Sequence, residues 1–152
     1  MNLSLNPKAF PGPLVFEWFA SEEGDTWEVS LQRCLKKLSI SHSELSFVQD
    51  RVAETLELIG LEKLRRHFEI KPIAQAADLG LVELRWDFRQ IPEGLKLRLY
   101  CSLLPEKSQL VGLCFRPKRI LETASQTKSA QNKDILEAIR LSKKLAANYG
   151  NQ

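Results

Sequence analysis

The sequence predicts an α+β domain, because its apolar residues repeat first at helical spacing and later at strand spacing. Residues 25–60 carry the helical period, and residues 81–103 carry the alternating one. The expected order is β-α-α-β-β-β-α, with an N-terminal strand and a helical hairpin packed on an antiparallel sheet. The chain has 152 residues. We expect an irregular lead-in over 1–13 and a single domain over 14–148.

The first strand and the first helix are predicted from short local patterns. Leu14–Ala20 is bulky and aromatic-rich, which favours a strand. Asp25 is followed three residues later by Glu28, a spacing that suits the N-cap of a helix. Apolar residues then fall on one face of that helix, namely Trp27, Leu31, Leu35 and Leu38, with Cys34 beside them.

The second helix has clearer boundaries. Ser41 and Glu44 form a Ser-x-x-Glu capping box, and Gly60 is a natural C-terminal stop. Between them, apolar residues recur at spacings of three and four: Leu45, Val48, Val52, Leu56 and Ile59. Two helices joined by a short link predict a helical hairpin.

Three strands are expected next, joined by short loops. Leu81–Phe88 and Leu95–Leu103 alternate apolar and polar residues, so each predicts a strand with one face in a core. Leu110–Phe115 is a continuous apolar run, typical of a more buried strand. A polar loop is expected over Thr123–Lys133. A last helix capped by Asn132 should then present Ile135, Ala138, Ile139 and Ala146 on one face, interrupted by Ser142.

Composition points to a cytoplasmic protein. The N-terminus lacks the pattern of a signal peptide, no apolar run is long enough to span a membrane, and the three cysteines lack CxxC spacing. We interpret the cysteines as reduced thiols, most simply small buried hydrophobic residues. His42 and His67 have no metal-ligand spacing, so no metal site and no small-molecule cofactor are expected.

Charge is uneven along the chain. Residues 1–60 contain five Lys/Arg against nine Asp/Glu, and residues 61–152 contain seventeen against ten. A basic half suggests an anionic partner, although two differently charged surfaces of one domain would give the same counts.

The polar faces of the two alternating strands carry the candidate site. If the strands pair, Arg85 and Arg98 lie close together on one surface, near the basic segment that begins at Arg116. Such a surface suits RNA, because cations contact phosphates and aromatic rings stack on bases. A solvated sheet face with cross-strand ion pairs is the alternative. The expected RNA-binding residues are Lys96, Tyr100, Arg116, Arg119 and His67.

Several of these segments together resemble the RelE/HigB group of small bacterial toxins. Leu81–Arg85 resembles the L-Y-E-L-R strand of its phage-derived branch, with Val82 where a tyrosine is frequent. Leu97–Tyr100 is similar to the strand that follows. Leu113–Lys118 is similar to the third strand with its basic end, although Pro117 interrupts that segment. The resemblance extends over residues 14–146.

The resemblance implies a toxin of a type II toxin–antitoxin system. Many members are ribosome-dependent endoribonucleases that cut mRNA without a metal, and a small antitoxin neutralises them. It implies catalytic roles for Arg98, which would hold the scissile phosphate, for Arg85 and for Lys118. The partners would be a cognate antitoxin and mRNA on the ribosome. Glu83, Tyr100 and His67 stay open as the general base.

Two other functions remain possible at this stage. A protein of the same fold could bind without cleaving, as a regulator or as a gyrase-directed toxin similar to ParE. A free-standing RNA-binding domain is a weaker possibility. Fold similarity alone does not separate these functions.

Overall fold

The computed structural model describes residues 14–60, 71–73, 80–91, 94–119 and 124–150. The lead-in over 1–13 and His67 lie outside these residues. The elements are β1 (Val15–Trp18), α1 (Trp27–Lys36), α2 (His42–Gly60), β2 (Lys71–Pro72), β3 (Leu81–Phe88), β4 (Leu95–Leu104), β5 (Gln109–Arg119) and α3 (Ala124–Gly150). The predicted α+β class is confirmed.

The strands form one sheet in the order β1-β5-β4-β3-β2. The antiparallel meander of β3, β4 and β5 is confirmed. However, β1 runs parallel to β5, so the expectation of a purely antiparallel sheet is wrong. The two helices between β1 and the meander carry the chain back across the sheet, which allows the parallel pairing. The two-residue strand β2 was not predicted, because two residues show no period.

The helical hairpin follows its predicted caps with one correction. Ser41 and Glu44 form the expected reciprocal box: the Ser41 amide donates to Glu44 Oε1 at 2.8 Å, and the Glu44 amide donates to Ser41 Oγ at 3.2 Å. On α1 the cap is Thr26 and not Asp25, because Thr26 Oγ1 accepts the Val29 amide at 3.3 Å.

Helix α3 is much longer than predicted. It begins at Ala124, so the expected loop over Thr123–Lys133 and the Asn132 cap are wrong. Residues 128–130 are exposed, and an exposed helical turn needs no apolar residue that a periodicity analysis could detect. The buried stripe consists of Ile135, Ala138, Leu141, Ser142 and Leu145, while Ala146 is exposed.

Ser142 fits this buried stripe because it has a polar partner on the sheet. Its hydroxyl lies 3.1 Å from the Ser102 hydroxyl, and both side chains are buried. A buried hydroxyl without a partner would cost free energy, so the pair explains how a polar residue is tolerated there.

Both faces of the sheet are covered. The face toward α1 and α2 carries the larger core, including Leu31, Val48, Leu84, Leu99 and Phe115. The opposite face packs on α3 through a second cluster that includes Leu81, Tyr100, Leu113, Ala138 and Leu141. Strand β4 lies in the middle of the sheet and is therefore buried along almost its whole length.

Gly112 allows β1 to sit close against β5. A Cβ atom at this position would lie 2.8 Å from Trp18 Cε3 and 2.9 Å from Phe16 Cζ. Real Cβ contacts are longer than this, so any larger residue would push the two aromatic rings away. The parallel edge of the sheet therefore depends on this glycine.

Loss of the α2 cap should destabilise the protein measurably. We expect Ser41→Ala to lower the free energy of unfolding by about 1 kcal/mol, because the Glu44 amide loses its acceptor. Urea denaturation measures this directly. Ser46→Ala, an exposed change within the same helix, serves as control and should be close to neutral. Equal stability of both variants would contradict the cap.

Candidate functional site

Three arginines lie side by side on one face of the sheet. Arg85 on β3 is the register partner of Arg98 on β4, and Arg98 is the partner of Arg116 on β5. Directly paired residues have Cβ atoms about 4.5–5.5 Å apart. The predicted proximity of Arg85 and Arg98 is therefore confirmed, and we call the three residues the arginine row.

Two further rows flank the arginine row on the same face, because side chains two apart on a strand share a face. One row consists of Asp87, Lys96 and Lys118, and the other of Glu83, Tyr100 and Cys114. Arg119 is in register with Leu95 and so stands outside these rows. The side chains of Lys118 and Arg119 lie outside the described part of the structure.

Glu83 is the anion that lies against two members of the arginine row, Arg85 and Arg98. It is only 4% exposed. Its Oε1 accepts from Arg85 Nε at 2.7 Å and also from Arg85 Nη2. Its Oε2 lies 3.7 Å from Arg98 Nε and makes no hydrogen bond with any described residue. One carboxylate thus faces two guanidinium groups, an arrangement similar to that of a bound phosphate.

Arg98 and Tyr100 are buried, which corrects the expectation of a solvated strand face. Arg98 is 8% exposed and Tyr100 is fully buried. Burial raises the pKa of Tyr100 to about 12, so its hydroxyl stays protonated at neutral pH. In this structure the Tyr100 ring is therefore inaccessible for stacking on a base.

Arg116 is engaged in bonds within the protein. Its Nη2 donates to Glu23 Oε1 at 2.5 Å and its Nη1 to Glu23 Oε2 at 3.3 Å, and its Nε lies 3.6 Å from Asp134 Oδ1. Partial burial works to lower the Arg116 pKa, but the bond to Glu23 and the two nearby carboxylates raise it overall. Arg116 therefore joins the β1–α1 connection to β5 and α3, which was not the RNA contact expected of it.

A second set of ion pairs joins the same connection to α3. Glu22 pairs with Arg140, and its Oε2 lies 3.2 Å from Lys144 Nζ. These bonds lower the pKa of Glu22, with the Arg140 hydrogen bond as the first cause. Acids of the first sixty residues thus neutralise bases of the last forty. Part of the charge difference between the two halves is therefore cancelled by ion pairs within the protein.

The accessible part of the site is small. The Arg85 side chain is 44% exposed, Lys96 is half-buried, and Asp87 is exposed. Among the described residues these groups offer the surface that an anionic ligand could first meet. Arg98 lies immediately behind them, separated from solvent but adjacent in register.

Some site residues could not be found from sequence. A contact between Glu83 and Arg85 could be predicted locally, because Glu83 lies two residues before Arg85 on the same strand face. The contacts of Glu23 and Asp134 could not, because each meets Arg116 only through tertiary folding.

The cysteines are unsuited to nucleophilic chemistry. Burial raises the pKa of Cys34 and of Cys114 to about 12, and it raises that of Cys101 well above its ordinary value. Among the described residues, no cluster of His, Cys, Asp or Glu is arranged to hold a metal ion. In the same part of the chain, no helix combines the length and apolarity needed to cross a membrane.

Comparisons with protein-family models, with curated proteins and with solved structures yield no match.

Thiol reactivity tests the burial of the cysteines. At pH 8, a thiol with a pKa of about 12 is ionised in about one molecule in 10⁴, so native Cys34 and Cys114 should react slowly with a disulfide reagent. We expect the three thiols to react quickly only after unfolding in urea. Fast reaction of one thiol in the native protein would contradict its burial.

Proposed function

We propose that this chain is a toxin of the RelE/HigB type that binds mRNA at the ribosome and cleaves it without a metal. The observation that supports this most is the register pairing of Arg85 with Arg98 on adjacent strands. Lys96 and Lys118 stand in the next row on the same face. This concentration of cations on strands with the family's motifs suits a site for a phosphate chain.

The proposed reaction is attack of a ribose 2′-OH on the adjacent phosphate. Negative charge grows on the phosphate in the transition state, and guanidinium groups aimed at it stabilise that charge. Arg98 would hold the scissile phosphate and Arg85 would contact it from the solvent side. Glu83 now occupies the place of that phosphate, so the RNA would have to displace its carboxylate from Arg85. The ribosome would supply the orientation of the 2′-OH.

A binding protein without cleavage activity is the second candidate. It is favoured by the carboxylates that already neutralise Arg98 and Arg116, and by the burial of Tyr100. A site of this kind could hold a partner's anionic group through Arg85 and Lys96 alone.

Induced expression in a heterologous bacterium separates the two candidates. The toxin proposal expects growth arrest, together with new mRNA 5′ ends inside coding regions. Normal growth with intact transcripts would contradict the toxin proposal and favour the binding protein.

Replacement of Arg85 tests the site itself. We expect Arg85→Ala to reduce mRNA cleavage by about 10²-fold, the usual effect of removing one group that stabilises transition-state charge. Cleavage is measured by following transcript ends at matched protein levels. Arg51→Ala is the matched control, because Arg51 is 55% exposed, also pairs with a glutamate, and lies on α2 away from the arginine row. Full cleavage by the folded Arg85→Ala protein would refute this role of the row.

A further inference from the structure

A groove lies where α1 ends and α2 begins. Its volume is about 520 Å³, within the range of pockets that bury clusters of side chains. One wall is a stripe of α1 formed by Val29, Gln32, Arg33 and Lys36. These residues follow the i, i+3, i+4, i+7 spacing of a single helical face, so the wall is straight for about 10 Å.

The groove has an apolar interior. Leu38, Ile40 and Leu45 line it, and each is half-buried, with one side packed on the core and the other open to the groove. Leu35 forms the buried floor beneath them. A partner that covers such open apolar surface removes it from water, which stabilises the complex.

The rim of the groove is basic. Arg33, Lys36 and His42 line it, and none of its described lining residues is an aspartate or a glutamate. This is unexpected in residues 1–60, where acidic side chains outnumber basic ones by nine to five. Neither Arg33 nor Lys36 forms an ion pair with a carboxylate of the described residues, and Arg33 Nη1 donates a hydrogen bond to the Glu22 carbonyl oxygen at 3.4 Å.

We propose that this groove binds an acidic amphipathic helix of a partner protein. Apolar side chains of the helix would enter between Leu38, Ile40 and Leu45, and its carboxylates would meet Arg33 and Lys36. The straight α1 wall matches about two turns of such a helix. This inference does not depend on the proposed function, because the groove and the arginine row lie on opposite sides of the sheet.

Other occupants fit less well. RNA is recognised by stacking of bases on aromatic rings, and Phe, Tyr and Trp are absent from the lining residues that the structure describes. A symmetric contact between two copies of this chain would bring two basic rims together, which electrostatic repulsion opposes.

A designed peptide tests the proposal with the full chain. The probe is a synthetic peptide of roughly 18 residues, long enough to be helical, with a leucine stripe on one face and glutamates beside it. A labelled form is titrated by fluorescence anisotropy. A scrambled peptide of the same composition, a version with lysine for glutamate, and a short single-stranded RNA are titrated in parallel.

We expect the acidic amphipathic peptide to bind and the scrambled and basic peptides to bind at least about tenfold more weakly, one order of magnitude being worth about 1.4 kcal/mol. Arg33→Glu with Lys36→Glu should weaken binding of the acidic peptide by tenfold or more. Lys133→Glu with Lys143→Glu, an equal charge change on exposed positions of α3, should leave it nearly unchanged. Ile40→Ala should weaken it at every salt concentration, since its contribution is apolar.

Four results would overturn the proposal. These are no binding of the acidic peptide, equal binding of the scrambled peptide, loss of RNA binding rather than of peptide binding in the Arg33/Lys36 variant, and self-association of the wild-type chain that this variant abolishes. Circular dichroism and thermal unfolding establish that each variant is folded before it is titrated.

Discussion

The ion pair between buried Arg98 and Glu83 is the interaction on which the centre of this structure depends. Helices cover the sheet on both faces, so its middle strand, β4, has no solvated side in this region. A buried guanidinium is tolerated only with a counter-charge, and the Glu83 carboxylate supplies it. Removing one partner of such a pair costs about 3–5 kcal/mol, because the other charge is left uncompensated.

The same constraint shapes the candidate site. Glu83 binds Arg85 through Oε1 and faces Arg98 with Oε2, so one carboxylate lies between two guanidinium groups and offsets part of their charge. A phosphate has the charge and the oxygen geometry to take over this place. The site thus combines a stable resting arrangement with groups able to bind an anion, and Arg85 is its solvent-facing member. Arg116, by contrast, is held by Glu23 and Asp134 and supports the fold.

Local patterns in the sequence predicted what depends on near neighbours. The Ser41–Glu44 capping box and the three strands of the meander were predicted from local spacing, and the proximity of Arg85 and Arg98 was predicted on the condition that their strands pair. Alternation along β4 also separated its two faces correctly. It could not reveal that α3 and the sheet bury the second face, because that depends on packing between distant segments.

The incorrect predictions also concern features that the local sequence pattern does not determine. Helix α3 begins at Ala124 because exposed polar residues are compatible with helix, although they leave no apolar stripe to detect. Ser142 interrupts the apolar stripe of α3 in the sequence. Its partner in the structure, the buried Ser102, lies forty residues away and could not be predicted from the local pattern. The ion pairs from Glu22 and Glu23 to α3 and β5 likewise join residues about a hundred positions apart. A difference in charge between the two halves of the chain therefore gave little information about the surface.

In the proposed function Glu83 holds the place of a phosphate, and the stability that the protein gains from RNA tests this most directly. Thermal unfolding of wild type, Glu83→Gln and the exposed control Glu54→Gln is measured at low salt, with and without a short single-stranded RNA. We predict that Glu83→Gln is less stable alone but gains more from RNA than the other two, by about 1.4 kcal/mol for a tenfold tighter complex. A gain equal to or smaller than that of wild type would contradict the claim.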